Sequence, residues 1–511
     1  RCRAGPVGDD VTVPGPRPRA RLGAGAAGAT GPVLLAAVGS GPLYLAMHLA
    51  QGAVHRGPDA GGYRLAVVGY LGATLALFGL YGWLLRLCRA GVPRAARLLV
   101  FGLPVLYSLL WLATLPVFSV DVFSYLAHGY VRVGLDANPY EMPSSAVAAS
   151  PLGGELAAYG WRPVFPPTPY GPLVTWLETG VARLAGDDVR LAVLVFKGVA
   201  VAGSLAAAAL IRWILGLVRP ADRDLGTVAY LWNPAVLVEV AGEGHNDALM
   251  AALVLLALGL TLRGRVALAV VAMVGAALTK YLPLLLIPLQ LGYWWRPSGQ
   301  ARRRLAGRAA AGAAAGLAVA AVLFAPFWRG AETFTGLRES GRAGHTGSSQ
   351  TVLVEVLSRV LGEPAALRAV SVAAAAALVL LAAALALRVP DGDALLRRCA
   401  VVMVAALVVA GPAYWPWYVI LPVALLALVP RGGWLLALVA LSLGSRLVAP
   451  LNSLYVDGVL GRSGFLLLTW LGAVALPLAA VAAARWAQFG EALPAGGRRR
   501  YRARHREAAG S

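Results

Sequence analysis

The chain has 511 residues, of which 59% are hydrophobic and 14% are charged, and its formal net charge is +21 at pH 7. This composition excludes a soluble globular domain and indicates a protein that crosses the lipid bilayer several times. In a soluble protein so much positive charge would suggest nucleic acid, but arginines in a membrane protein mark cytoplasmic loops, so we expect no nucleic acid partner.

Apolar runs long enough to cross about 30 Å of hydrocarbon recur along nearly the whole chain. They are apolar on all sides, which predicts an all-α polytopic membrane protein with about 13–14 transmembrane helices. Several spans between 225 and 295 are short, so one pair of them could be re-entrant. The predicted spans are 32–54, 65–86, 98–117, 191–218, 225–240, 247–262, 266–279, 281–295, 305–327, 366–387, 399–411, 417–429, 433–448 and 464–484.

The two ends of the chain differ from its apolar middle. Residues 1–31 mix Gly, Pro, Ala and Arg without periodicity and predict a disordered cytoplasmic arm, and 488–511 predict a basic cytoplasmic tail. Residues 32–487 form the transmembrane domain between them. Counting spans with arginines on the inside places the large loop 118–190 on the extracytoplasmic side of a plasma membrane.

An acidic and aromatic cluster directly follows the third predicted span, and it contains Asp121, Tyr125 and His128. A carboxylate at the edge of a bilayer is costly, so it marks a reaction site, and partial desolvation would raise its basicity as a general base requires. In the alternative interpretation Ser119 or Asp121 caps an interfacial helix 122–132 whose apolar side chains face lipid. His128 lies two helical turns further on and fits either interpretation.

The sequence GEGHND at 242–247 places two acids, a histidine and an amide between two apolar spans. Asn246 and Asp247 are suited to binding sugar hydroxyls, whereas the alternative is an ordinary polar turn. The spacing of Glu243, His245 and Asp247 matches no standard set of metal ligands, so we predict no metal cofactor.

Two cations lie at apolar junctions on the predicted outer side, Lys280 and Arg446. Only two of the 45 basic residues are lysines, so a lysine in the sequence LTKYLP indicates a need for a compact point charge, such as a phosphate site provides. The alternative for both residues is a cation whose side chain extends to the membrane interface.

Aromatic residues are concentrated on the same predicted side, at Tyr170, Trp415, Trp417 and Tyr418. They are compatible with stacking against sugar rings. Aromatic belts at the membrane surface explain them equally well.

Six short stretches together resemble the actinobacterial polyprenyl-phosphomannose-dependent α-1,6-mannosyltransferases, which belong to the GT-C glycosyltransferases. The likeness runs from about residue 30 to 485, and its most specific part is GHNDALM. The stretches are DVFSY at 121–125, NPY at 138–140, PYGP at 169–172, GHNDALM at 244–250, Lys280 and WPWY at 415–418.

The resemblance implies a GT-C scaffold that transfers mannose, with inversion, from polyprenyl-phosphomannose to an α-1,6-mannan lipoglycan acceptor at the extracytoplasmic face. Asp121 would take the proton of the acceptor hydroxyl, and Lys280, Arg446 and His245 would hold the donor phosphate. Sugar and acceptor contacts would fall to the aromatic and polar residues named above: Tyr125, His128, Tyr170, Asn246, Asp247, Trp415, Trp417 and Tyr418.

The sequence departs from the family pattern at one point and leaves two alternative functions open. The chain has a single acid at 121 where some GT-C enzymes have paired acids, so a divalent metal is not supported by a DxD motif. The alternatives are a transferase for another polyprenyl-phosphate sugar (arabinose, glucose or galactose) and a lipid-linked sugar transporter or flippase. A transporter would carry its charges midway along the spans, whereas these charges collect at one face.

The predicted topology can be tested by cysteine labelling. A cysteine near Ser145 should react with a membrane-impermeant thiol reagent in intact cells, because loop 118–190 is predicted to lie outside. A cysteine near Arg302 should react only after the membrane is opened, and the opposite pattern would contradict the placement of the site.

Overall fold

The computed structural model describes residues 25–56, 62–296, 299–342, 347–387 and 389–482. Within these ranges every regular element is a helix and no strand is present, which confirms the all-α prediction. The helices, α1 to α20 in chain order, span Gly25–His55, Tyr63–Leu87, Arg97–Leu112, Asp121–Val133, Pro151–Ala158, Pro172–Ala185, Val189–Val218, Arg223–Leu231, Pro234–Leu237, Asp247–Leu262, Val266–Ala277, Ile287–Trp294, Gly299–Phe324, Thr335–Arg342, Ser349–Leu361, Glu363–Ala386, Gly392–Val408, Ile420–Leu426, Gly432–Val456 and Arg462–Trp470.

The predicted terminal segments fall mostly outside these ranges. Helix α1 begins at Gly25, so the last part of the predicted arm 1–31 is helical. The rest of that arm and the whole predicted tail 488–511 lie outside the described residues.

Eight of the described helices are long and apolar enough to cross a membrane. The side chains of α16 show why these surfaces suit lipid: only 11% of its most apolar stretch is buried in the protein, and Val372 and Leu380 are 64% and 69% exposed. Apolar surface of this extent is stable only in a bilayer or against a partner. The chain is therefore a polytopic membrane protein.

The number of long spans is smaller than the 13–14 predicted. At the other six predicted spans the described helices are shorter or broken, and one bent pair raises the count of possible spans from eight to nine. Helix α18 shows the reason, since Ile420, Val423 and Leu425 are each fully buried. A run that is apolar on all sides faces either lipid or a protein core, and the sequence pattern does not distinguish the two.

The bent pair consists of Pro234–Gly242 and Asp247–Leu262, and the chain direction bends by 120° between them. Its first arm starts where the Asn233 side chain accepts the N–H groups of Ala235 and Val236, and it ends in a π-helical turn, Val238–Gly242. Gly244 has φ of 83°, a left-handed conformation that glycine adopts without strain, and it closes the bend. The bend carries the polar residues of 239–247 into the protein interior.

Loop 118–190 contains the helices α4, α5 and α6. Helix α4 packs closely on α6, because a Cβ at Gly129 would lie 2.1 Å from the Glu178 carbonyl oxygen. Phe123 and Leu126 of α4 are only 2% and 1% exposed. The alternative of an interfacial helix with these side chains in lipid is therefore wrong, and the protein itself covers them.

Candidate active site

Several predicted site residues meet around the start of α4. The Oδ2 of Asp121 lies 3.8 Å from Nδ1 of His245, and Nζ of Lys280 lies 2.6 Å from Oδ2 of Asp247. The His245 ring stacks on Trp417 with 4.0 Å between ring centroids. The N-terminus of α4, the bend before α10, the end of α11 and the segment Pro416–Val419 thus converge on one cluster.

Asp121 is the first residue of α4, and its side chain is 15% exposed. The helix N-cap is Val120, and the Ser119 hydroxyl accepts the N–H of Asp121, so the carboxylate is not the capping group. Burial raises the pKa of Asp121 to about 6, while the positive charge of Lys280 opposes the shift. A partly reachable carboxylate of this basicity is suited to accept a proton near neutral pH.

Glu243 fixes the segment that leads into α4. One of its carboxylate oxygens accepts the backbone N–H groups of Val117, Phe118 and Ser119 at 3.1, 3.2 and 3.0 Å. The other accepts from Gln51 Nε2 at 2.5 Å. Each buried N–H left without an acceptor would cost about 1–3 kcal/mol, so Glu243 has a structural role that positions Asp121.

Lys197, which is not among the predicted site residues, holds the same segment from its other end. Its Nζ donates to the carbonyl groups of Trp111 at 2.6 Å and Thr114 at 2.5 Å, where α3 ends. A cation is favourable at the negative end of a helix. The rarity of lysine in this chain, which singled out Lys280, would also have pointed to Lys197.

Lys280 is surrounded by protein groups. Its ammonium group pairs with Asp247 and also faces the rings of Tyr170 and Tyr418, whose centroids lie 5.2 and 5.9 Å from Nζ. The side chain is 15% exposed. This combination of a carboxylate and two aromatic faces leaves the cation within the cluster and not extended along the membrane surface.

The loop that carries Tyr170 is attached to the junction that carries Lys280. Gly171 N–H donates to the carbonyl of Thr279 at 2.9 Å, and Leu173 N–H donates to that of Leu278 at 3.0 Å. The close approach requires glycine at 171, because a Cβ there would lie 2.2 Å from the Leu278 carbonyl oxygen. These contacts set the distance between the aromatic ring and the cation.

Arg446 is 1% exposed and forms an ion pair with Glu239, and it donates to the Tyr70 hydroxyl at 2.7 Å. The second Glu239 oxygen lies 3.3 Å from Nε2 of His245. Phosphate binding by Arg446 and His245 stays a prediction, and both side chains already face a carboxylate. Glu239 is not among the predicted residues, although a lone acid within the apolar run VLVEV at 236–240 is a recognised sign of function in membrane helices.

The remaining predicted contacts differ in their surroundings. His128 lies 3.7 Å from Glu178 and 3.2 Å from the Pro166 carbonyl, and burial raises the pKa of Glu178. The pair of His128 and Glu178 links α4 to α6. The predicted contact of His128 with a sugar stays a prediction. Trp415 stacks on Trp417 with 5.3 Å between centroids.

Tyr125 and Asn246 line a small cavity of about 10 Å³. Neither polar atom of the Asn246 amide has a hydrogen-bond partner within the described part of the chain, although the residue is only 7% exposed. A cavity of this size holds about one water molecule, so a sugar reaches Asn246 only if neighbouring side chains move.

No group of three or more His, Cys, Asp and Glu side chains with the arrangement of a metal site occurs in the ranges that the structure describes. The expectation that no metal cofactor is needed stays a prediction. Asp121 and Asp247 lie close to Lys280, whose charge would oppose a divalent cation there.

Comparison with known proteins shows what this chain is similar to. A family model described as "Alpha-(1->6)-mannopyranosyltransferase, N-terminal domain" matches residues 23–296, more than half of the chain. An alpha-(1->6)-mannopyranosyltransferase of Mycobacterium tuberculosis is 34% identical over 166 residues, which are 30% of this chain and 26% of the relative.

Two further relatives show a similar pattern. Alpha-(1->6)-mannopyranosyltransferase A of Corynebacterium glutamicum is 35% identical over 156 residues, 29% of this chain and 29% of the relative. The protein of the same description in Mycobacterium tuberculosis is 30% identical over 201 residues, 37% of this chain and 36% of the relative. The matched stretches thus span well under two thirds of each relative.

Replacing Gly171 by Ala should lower the activity of the protein that remains folded, because the added Cβ must displace the Leu278 carbonyl and with it Lys280. We expect a loss of about tenfold or more in kcat/KM, since small misplacements of a reacting group are costly. Gly180→Ala in α6 is the matched control, because its Cβ meets nothing within 4 Å. Equal activity of the two variants would show that the backbone hydrogen bonds between the Gly171 loop and residues 278–279 do not position Lys280.

Proposed function

Because the chain belongs to the family of alpha-(1->6)-mannopyranosyltransferases, we propose that it transfers mannose from polyprenyl-phosphomannose to an α-1,6-mannan lipoglycan acceptor. The observation that carries this proposal is the partly exposed Asp121 carboxylate of raised pKa beside Lys280, in a protein whose apolar helices place it in lipid. Such a site suits a sugar donor that is itself a membrane lipid.

The proposed reaction is a single displacement with inversion at the anomeric carbon. The acceptor hydroxyl attacks C1, its proton goes to Asp121, and the bond from C1 to the phosphate oxygen breaks with its electron pair on the phosphate. Polyprenyl phosphate is a weak base, so it needs neutralisation of charge more than it needs a proton. Lys280 supplies a compact cation for that purpose, and its contact with Asp247 orients the ammonium group.

The aromatic side chains around Lys280 support the binding of a sugar. Tyr170 and Tyr418 flank the cation, and Trp417 lies against His245. Apolar faces of a pyranose stack on such rings, while Asn246 and Asp247 offer hydrogen bonds to hydroxyl groups. We place this site at the extracytoplasmic face, where the arginine distribution puts loop 118–190.

The proposal is tested with membranes that contain the protein, labelled polyprenyl-phosphomannose and a short α-1,6-mannoside acceptor. We expect wild-type membranes to transfer label, and Asp121→Asn at equal expression to be slower by about 10²-fold or more, because the amide keeps the size of the carboxylate without its basicity. Transfer from a polyprenyl-phosphate arabinose, glucose or galactose, with none from mannose, would contradict the proposed donor.

The pH dependence of kcat/KM gives the same test a second readout. The base must be ionised to accept a proton, so the rate should rise with pH through about 6, the pKa of Asp121, and level off above it. Near-normal transfer by a folded Asp121→Asn protein would assign the role to another carboxylate.

Lys280→Met tests the phosphate contact, because methionine keeps the apolar stem and removes the charge. We expect the apparent KM for polyprenyl-phosphomannose to rise by about tenfold or more, which corresponds to the loss of a charge-assisted hydrogen bond of about 1.5–3 kcal/mol. Lys280→Arg should restore binding only in part, since its planar fork does not replace a compact ammonium. Equal KM values in all three proteins would show that the phosphate is held elsewhere.

A further inference from the structure

Four charged or titratable side chains form a line from the reachable carboxylate into the protein interior. Asp121 lies 3.8 Å from His245, His245 lies 3.3 Å from Glu239, and Glu239 pairs with Arg446. Side-chain exposure falls from 15% at Asp121 to between 0 and 2% at the other three. Only the Asp121 end of this line is within reach of a substrate.

The partners of His245 decide which of its nitrogens carries the proton. Glu239 is held as a carboxylate by the Arg446 guanidinium and therefore only accepts hydrogen bonds. Nε2 of His245 faces this carboxylate at 3.3 Å without the alignment of a hydrogen bond, and only the tautomer with its proton on Nε2 makes that approach favourable. Nδ1 then carries a lone pair, and it faces Oδ2 of Asp121. The tautomer of His245 is thus assigned from the chemistry of the groups around it, as histidine tautomers generally are.

The His245 ring is also fixed in orientation. Its plane lies 17° from that of Trp417, with 4.0 Å between centroids. Stacking from one side and a carboxylate at Nε2 leave little freedom of rotation, so Nδ1 stays directed at Asp121. At 3.8 Å the two atoms are not yet hydrogen-bonded, and the contact must shorten when substrate binds, as catalytic hydrogen bonds often do.

We propose that Glu239 and His245 are positioning residues that complete a hydrogen-bond relay behind Asp121. This inference rests on the proposed function. The acceptor O–H bond breaks as its oxygen bonds to C1, the proton goes to Asp121, and the protonated Asp121 then donates a hydrogen bond to the lone pair on Nδ1 of His245, which stays neutral. After the product leaves, Asp121 releases the proton to solvent, so no other reactant is needed.

The surroundings of His245 favour its neutral form. The ring is fully buried, and both this burial and the positive charge of Lys280, on the segment after α11, disfavour an imidazolium. A neutral ring keeps the lone pair on Nδ1 directed at the protonated Asp121, with the Glu239 carboxylate at Nε2 and Trp417 against its face. Arg446 lies beyond Glu239 and is neutralised by it.

His245→Gln tests the relay, because the amide nitrogen of glutamine can still donate to Glu239 while no base faces Asp121. We expect kcat to fall by about tenfold or more with little change in the KM for polyprenyl-phosphomannose, and the acidic limb of the pH profile to move to lower pH. The shift follows because Nδ1 stabilises the protonated form of Asp121. His48→Gln is the matched control, since His48 contacts Trp111 away from this line, and it should behave as wild type.

Glu239 is tested by a pair of substitutions. Glu239→Gln removes the charge that orients His245 and should reproduce the effect of His245→Gln on kcat and on the pH profile, while Glu239→Asp should restore part of the activity. Glu239→Gln leaves Arg446 without its counter-ion, so size-exclusion chromatography in detergent is used to check that this variant is still folded. If Glu239→Gln does unfold, His245→Gln alone still decides the question.

The outcomes separate the two proposals. Wild-type membranes without transfer would overturn the proposed function and the relay together. Active wild type with an unchanged kcat and pH profile in His245→Gln would overturn the relay alone. A selective increase in the donor KM of His245→Gln would also overturn it, because it would make His245 a ligand of the donor phosphate.

Discussion

The Glu243 carboxylate is the contact on which the rest of the site depends. It accepts three consecutive backbone N–H groups from 117–119 and so joins the bend before α10 to the start of α4. Because the bend carries His245 and Asp247 and α4 begins with Asp121, this one side chain sets the distance between base, histidine and cation. Its burial makes the arrangement rigid, since a lost hydrogen bond there has no solvent to replace it.

The same constraint, charge inside a medium of low polarity, orders the other charged groups of the cluster. Arg446 is paired with Glu239, Lys280 with Asp247, and Lys197 with carbonyl groups at the end of α3. Buried charges persist only when they are paired in this way. Asp121 differs from them because it is partly exposed and faces a neutral ring, and burial raises its pKa although the charge of Lys280, which is paired with Asp247, opposes the shift. Its reactivity is thus a consequence of the pairing of its neighbours.

Sequence patterns predicted many residues of the cluster but few of the pairings between its charged side chains. Asp121, His245, Asp247, Lys280 and Trp417 were selected as unusual residue types beside apolar runs, and the structure brings them together. The partner of Arg446 was not predictable, because Glu239 lies 207 residues away in the chain. The number of long spans was overestimated for a related reason, since a buried helix such as α18 is as apolar as one that faces lipid.

The sequence by itself determined the class of this protein and the types of residue at its site, because composition and apolar run length reflect the solvent that surrounds each segment. It also determined the family, because short motifs and the family match over residues 23–296 are properties of the sequence that do not depend on how the chain folds. Tertiary structure alone decided which charges neutralise one another and which one remains reactive. That outcome depends on distances of a few ångströms between helices far apart in the chain, and the energy of a buried charge changes steeply over such distances.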